Sequence, residues 1–297
     1  MGNETYEMKV HGKNILHFPF ADVSEFQKNP SRTGIPFLAP WGNRLDQQAF
    51  WANGKRYAFD MDLGNVHGET PIHGLLGPAS HWNVTEVAAD AQSARVISKF
   101  EFWRHPDLMA QWPFAHEYEM THILSNGELE VKIAVTNLSA EPMPVAIGFH
   151  PYFRIPDVSR DEWVGRIPAR RRVVTDARLI PTGEYRPMDL TDPFPLINRA
   201  LDDGFVDLGR DPDGRARFYI ASSGNMVEVL FGQKWQAAVV WEPNDADGHP
   251  REFICFEPMA GITNAVNLNH ESKYPELQSV PPGGTWSESF WVRTSGL

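Results

Sequence analysis

The chain has 297 residues, 42% of them hydrophobic, which is enough for a large core and too many for a disordered protein. Its formal net charge is −11, from 38 acidic and 27 basic side chains, so it lacks the basic footprint of a nucleic-acid-binding protein. A single cysteine, Cys255, excludes an intrachain disulfide and suits a reducing compartment.

The opening "MGNETYEMKV" is polar and acidic, without the basic and apolar regions of a secretory signal. No apolar run reaches the length of a membrane span. The expectation is a soluble cytoplasmic protein, a monomer or weak dimer, with no membrane partner. Glycine and proline, 23 and 24 residues, are scattered throughout and favour short strands joined by turns. Val23–Lys28 reads as one short helix. "ARVISKFEFW" and Tyr118–Leu124 read as strands. "SNGE" carries an Asn-Gly hairpin turn, and Leu129, Val131, Ile133 and Val135 alternate with polar neighbours in the strand that follows.

The Arg- and Pro-rich middle, "RIPARRRVVTDARLIPTGEYRPMDLTDPFP", reads as a long excursion, and Pro195–Leu201 as a turn or short helix. "ARFYIAS", "MVEVLFG", "QAAVVWEP", "EFICFEP" and "ESFWVRT" continue the strand pattern. Helical periodicity is weak throughout. Many strands without intervening helices predict an all-β fold of packed antiparallel sheets, one domain over residues 1–297.

Two segments share one construction. "PVAIGFHP" ends at His150-Pro151 and "FICFEP" at Glu257-Pro258. In each, an apolar strand delivers one ionisable side chain, and proline then removes a backbone donor and is predicted to end the ladder. Phe253, Cys255 and Glu257 should share one face, as should Ala146, Gly148 and His150. The small residues beside His150 leave room for something to approach. A histidine and a carboxylate at strand tips suit acid–base chemistry. The plainer reading, two satisfied structural groups, stays open at this point.

Other polar residues sit in tight settings. "PWGNRL" places Asn43 and Arg44 after a turn, and a guanidinium fork suits hydroxyls or carboxylates. "HGETPIHGLLG" holds His67 and His73. Their spacing fits no zinc motif, so no metal is expected. Walker, GxGxxG and GxSxG patterns are lacking, so no nucleotide cofactor or serine elbow is expected. Asp202 and Asp203 in "RALDDGF" read as an acidic turn. Ten tryptophans among 12% aromatic residues suit a carbohydrate site, or simply a large β-sandwich.

Taken in order, "PWGNRL", "PIHGLLG", "PFAHEYEMTHIL", "GFHPYF", "LIPTGEYRP", "LDDGF", "FEPMAGITNAVN" and "VPPGGTWSESFWV" resemble the aldose 1-epimerase, or galactose mutarotase, family from about Gly34 to Val292. The resemblance implies a single-domain β-supersandwich with few short helices, no cofactor and a sugar substrate. It implies Glu257 as general base and His150 as general acid in an isomerase that interconverts anomers by ring opening. Asn43, Arg44, His73 and Asp202 match positions that bind sugar hydroxyls; Asp202 is preferred to Asp203 because it stands three residues before the aromatic Phe205. Galactose enzymes usually carry Asn-His-Ser-Tyr-Phe where this chain has "FHPYF", which looks more like the bacterial branch that includes hexose-6-phosphate epimerases. A hexose-6-phosphate epimerase therefore stays open, with Arg170–Arg172 or Arg154 as anion-binding candidates, as does a non-catalytic sugar-binding protein.

Overall fold

The strand pattern of the sequence is realised in a computed structural model that describes residues 2–62, 66–67, 69–77 and 80–297; the side chains of Val66 and His67 lie outside the described residues. Leu129, Val131, Ile133 and Val135 all point inward from the strand Glu128–Asn137 and are buried. That strand pairs with His116–Ser125 through a two-residue turn, Asn126 at φ 50° and Gly127 at φ 74°. Positive φ at both positions is the conformation whose twist matches a right-handed hairpin, and Asn-Gly adopts it readily.

This hairpin lies within a nine-stranded antiparallel sheet. From one edge to the other its strands are Phe194–Pro195, Val164–Arg166, Ala216–Ser222, Asn225–Phe231, Thr285–Ser295, Glu128–Asn137, His116–Ser125, Ser93–Glu101 and Asn83–Ala89. An eight-stranded sheet packs against it. Its path runs Pro181–Pro187, Ala169–Thr175, Leu201–Leu208, Ala237–Glu242, Ile254–Met259, Gly148–Phe149 and Phe37–Leu38, and Tyr152–Phe153 also pairs with Ile254–Met259. Aromatic side chains join the layers: Phe218 meets Phe256 at 5.5 Å and Phe149 meets Phe290 at 5.0 Å between ring centroids. Fully burying such a ring contributes roughly 1.5–3 kcal/mol. The all-β sandwich expected from the sequence is the observed architecture.

Three short α-helices occur among the described residues. Val23–Lys28 forms where expected, capped by Asp22, whose side chain accepts from the Glu25 amide at 2.9 Å. Pro106–Gln111 and Ala265–His270 carry no clear apolar period and were not legible. Described residues include no helix long and apolar enough to cross a membrane. Of the tryptophans, Trp41, Trp112, Trp163 and Trp235 are fully buried core. Trp163 and Trp235 donate to the carbonyls of Val158 and Ser289.

Several local expectations are corrected. "LDDGF" is not a turn but part of the strand Leu201–Leu208. Of the two readings of Pro195–Leu201, a turn or a short helix, the turn is the one formed, at residues 197–198 between the end of one strand and the start of another. The Arg-rich middle is not an excursion, because Ala169–Thr175 and Pro181–Pro187 form one edge of the eight-stranded sheet. Nor does Pro258 end its strand, which continues to Met259 with Pro258 opposite Ala238. Proline is tolerated there because the ladder needs no amide at that position.

His116 shows what burial of a histidine does here. It is 0% exposed, stacks on Phe102 at 4.2 Å and places Nδ1 2.6 Å from the Phe114 carbonyl. Burial lowers its pKa from 6.5 to about 4, with the Phe114 carbonyl opposing. Its contribution to stability is therefore intact above pH 6.5 and is lost as pH falls toward about 4. Replacing His116 with Phe should remove about 3 kcal/mol of acid sensitivity over that interval, since each pKa unit is worth about 1.4 kcal/mol. Urea denaturation of both proteins at a series of pH values checks this; parallel pH dependences would contradict it.

Candidate active site

Alternation along Ile254–Met259 sends Ile254 and Phe256 into the sandwich core and Cys255, Glu257 and Met259 to the opposite face. Phe253 joins Cys255, Tyr152 and Trp241 there, as the period-two reading expected. The neighbouring segment Gly148–Phe149 brings His150 alongside. His150 Nε2 lies 3.3 Å from Glu257 Oε1, and the residues are 5% and 1% exposed. The two strand-tip groups are therefore partners, reached from opposite ends of a separation of 107 residues by antiparallel pairing of Gly148 with Met259. The space beside Gly148 is not left open, because the Met259 side chain occupies it and a Cβ on Gly148 would collide with its sulfur.

A second layer comes from two loops. Pro40–Leu45 crosses the sheet end, where the Gly42 amide donates to the Ala146 carbonyl at 2.7 Å. Asn43, at φ 55°, turns its side-chain oxygen onto Arg44, accepting from the backbone amide at 2.8 Å and from Nη1 at 3.1 Å. The His73 amide donates to the Asn43 carbonyl at 2.9 Å, and Arg44 bridges to Ile72. Gly74, at φ 69°, must be glycine, since a Cβ would strike the Ala39 carbonyl. These contacts bring His73 against His150, with ring centroids 5.3 Å apart and planes at 71°.

Arg44 Nη2 lies 3.4 Å from Asp202 Oδ2, and its amide-side loop is braced by Asn264, whose amide donates to the Arg44 carbonyl. The second half of the "FEPMAGITNAVN" motif thus supports the loop that carries Arg44. Asn267 extends the brace by donating to the carbonyls of Asp46 and Ala49 at 3.1 and 3.0 Å. Asp202 is opposite Trp241 in the sheet, while Asp203 turns to Arg172 at 2.6 Å. All six residues singled out in the sequence, Asn43, Arg44, His73, His150, Asp202 and Glu257, converge on one end of the eight-stranded sheet. His67 lies outside the described residues. A narrow cleft with room for about 20 Å³ lies beside three of them, Asn43, Arg44 and Asp202, and is lined also by Asp203 and by Val239, the strand partner of Glu257.

Electrostatics set the pair apart. Burial pushes the Glu257 carboxyl well above the ordinary carboxylate range; Asp202 adds to this, and Arg44 and Arg32 oppose it. Burial pulls His150 down to about 3, helped by Arg32. His73 is also held well below 6.5, by burial, then by His150, Arg32 and Arg44. In both members of the His150–Glu257 pair, burial thus favours the neutral form over the charged one. Buried Glu257 Oε2 and His73 Nδ1 have no hydrogen-bond partner among the described residues, a property they share with core atoms such as Ser98 Oγ and Trp112 Nε1.

Arg32 is the residue that the sequence did not reveal. It is a cation that acts on Glu257, His150, His73, Tyr152 and Glu4, alongside Arg44 at Glu257 and His73. It stands in a polar loop, "NPSRTGIP", with no period to mark it. Its place is fixed by long-range pairing, in which the Gly34 carbonyl accepts from the Tyr152 amide at 2.8 Å.

Known proteins give this geometry its context. The chain is 21% identical over 283 residues to the YphB protein of Escherichia coli K12, covering 88% of this chain and 83% of that one. A galactose mutarotase-like protein of Clostridium acetobutylicum superposes with a TM-score of 0.82 at 23% identity, over 95% of this chain and 86% of that one. A galactose 1-epimerase of Lactobacillus acidophilus superposes with a TM-score of 0.78 at 15% identity, over 99% and 89%. At these identities the superpositions establish a shared fold. The sequence model of aldose 1-epimerases matches residues 2–293, nearly the whole chain, and the chain belongs to that family.

Proposed function

We propose that this protein is an aldose 1-epimerase that interconverts the anomers of an uncharged hexose or related aldose in the cytoplasm. The observation that carries the reading is the buried His150–Glu257 contact, 3.3 Å, with Asn43, Arg44 and Asp202 gathered on the neighbouring loop and strand. Such a pair can remove one proton and supply another within hydrogen-bond reach of the same ring.

In the reaction, carboxylate Glu257 takes the proton from the C1 hydroxyl. The C1–O1 bond becomes a carbonyl as the C1–ring-oxygen bond breaks, and imidazolium His150 protonates the departing ring oxygen. Rotation about C1–C2 and closure on the other carbonyl face, with both proton transfers reversed, gives the other anomer. Ring opening converts a carboxylate–imidazolium pair into a neutral acid and a neutral imidazole. Burial favours the neutral pair before the sugar reacts as well as after, so the carboxylate–imidazolium form that opens the ring arises by proton transfer across the 3.3 Å contact. Arg44 and Arg32 offset the cost of the charged starting state by favouring the Glu257 carboxylate. Arg44, His73, Asn43 and Asp202 hold the hydroxyls and steady charge at the ring oxygen.

The preference for an uncharged sugar rests on where the cations are committed. Arg44 is paired with Asp202, Arg172 with both Asp189 and Asp203, and Arg171 with Asp207, whereas the buried Nε of Arg154, the other anion-binding candidate, has no hydrogen bond among the described residues. A phosphate entering the cleft would meet the carboxylates of Asp202 and Asp203, which already hold Arg44 and Arg172. Comparing kcat/KM for anomerisation of glucose and galactose with that for their 6-phosphates tests this. The neutral sugars should be favoured by at least about tenfold; a preference for the phosphates would replace this substrate class with the other.

A further inference from the structure

His150 needs a fixed orientation to place Nε2 on Glu257, and a catalytic imidazole is ordinarily aligned by a hydrogen bond at its far nitrogen. Here that atom, Nδ1, is buried and has no partner among the described residues beyond a contact with its own backbone. Rings take the place of the missing bond. Tyr152 stacks on His150 with centroids 4.7 Å apart and planes 12° from parallel. Trp241 stands perpendicular to both, 5.6 Å from His150 and 6.1 Å from Tyr152, and so runs along the side of the stack.

The stack is itself anchored. Tyr152 pairs with Cys255 in the sheet, its amide donates to Gly34, and its carbonyl accepts from the His17 amide at 2.9 Å. Phe253 closes the far side of Tyr152 at 5.2 Å. Sequence explains the arrangement. In "FHPYF" the histidine and tyrosine lie two apart, so both side chains share a face, and Pro151 between them stiffens the link.

We propose that Tyr152 is a positioning residue for His150, with Trp241 as the wall that fixes the plane of the imidazole, so that aromatic packing does the aligning work usually done by a second-sphere hydrogen bond. The inference rests on the acid–base reading of His150. Its signature is a loss of turnover without a loss of binding, because Tyr152 acts through the ring and not on the sugar. Displacing a catalytic group by about 1 Å can cost about a hundredfold.

Three variants test it: Tyr152→Phe, which keeps the ring, and Tyr152→Leu and Tyr152→Met, which fill the site without one. Tyr152→Phe should keep wild-type kcat. Tyr152→Leu and Tyr152→Met should lower kcat by about 10- to 100-fold with KM changed less than about twofold. A wild-type kcat in Tyr152→Met, or a Tyr152→Phe as impaired as Tyr152→Leu, would overturn the proposal, the second result pointing to the phenol hydroxyl. Imidazole NMR gives a readout independent of turnover. The His150 Hε1 resonance should be sharp and ring-current shifted in wild type and Tyr152→Phe, and should lose the shift and broaden in Tyr152→Met. An unchanged, sharp resonance in Tyr152→Met would contradict the aligning role even if no sugar were turned over, whereas an inactive wild type with the expected NMR response would count against the proposed reaction and not against the stack.

Discussion

Replacing Glu257 with Gln should abolish catalysed anomer exchange and at the same time raise the melting temperature. The two effects share one cause. Glu257 is 1% exposed, and burial holds its carboxyl well above the usual range. In the unfolded chain the group ionises near its ordinary value of 4.5. A raised folded pKa contributes stability that is full below that value and is lost as pH rises toward the folded one. Glutamine has the same shape and cannot ionise, so its advantage should grow from pH 5 upward. The rate should fall by at least about 10²–10⁴-fold, the usual contribution of one general acid or base. Thermal unfolding at pH 5 and pH 8, with polarimetry on the same preparations, checks both halves. A variant that is less stable than wild type at pH 8 would show that the carboxylate is held by compensating contacts and not kept for its proton.

Replacing His150 with Phe should cost a comparable factor, about 10²–10⁴ in kcat, with the fold and the aromatic cluster retained. Phenylalanine can still lie against Tyr152 and Trp241, which contact the imidazole through its ring. What it lacks is the nitrogen 3.3 Å from Glu257. Wild-type stability should also decline as pH falls below 6.5, because His150 must stay neutral down to about 3. The variant should lack that component. Retention of more than about a tenth of wild-type kcat would remove His150 from the proton path and leave Glu257 with His73 as the nearer alternative.

Much of this was readable from residue order alone. Strands with a clear period of two, such as Leu129–Val135, formed with the expected faces, because burial of one face fixes register. The paired strand tips were visible for the same reason: His150 and Glu257 are the ionisable interruptions in apolar runs. Elsewhere, tertiary pairing decided. "LDDGF" looked like a turn because two acids and a glycine suggest one, yet Leu201–Leu208 is held extended by strands on both sides. Arg32 carries no local pattern, and long-range bonds of its loop, from the Tyr152 amide to Gly34 and from the His150 amide to Pro36, bring it to the His150–Glu257 pair. The helix Ala265–His270 was hidden because its buried face includes Asn267, whose amide holds the 46–49 loop in place of an apolar contact. Asp202 could be preferred to Asp203 only by resemblance; the sheet supplies the physical reason, since adjacent strand residues face opposite ways and Asp202 alone of the two turns toward Arg44.

The central claim is that the His150–Glu257 pair opens and recloses an aldose ring. Two-dimensional exchange NMR at the anomeric protons of galactose and glucose tests it most directly, because it reads interconversion at equilibrium without a coupling enzyme. Catalytic amounts of protein should give α–β cross-peaks at mixing times where buffer alone gives none. Sugar signals that broaden or shift with added protein while no cross-peak appears, across a panel of neutral aldoses and their 6-phosphates, would mean that the cleft binds sugars without opening them.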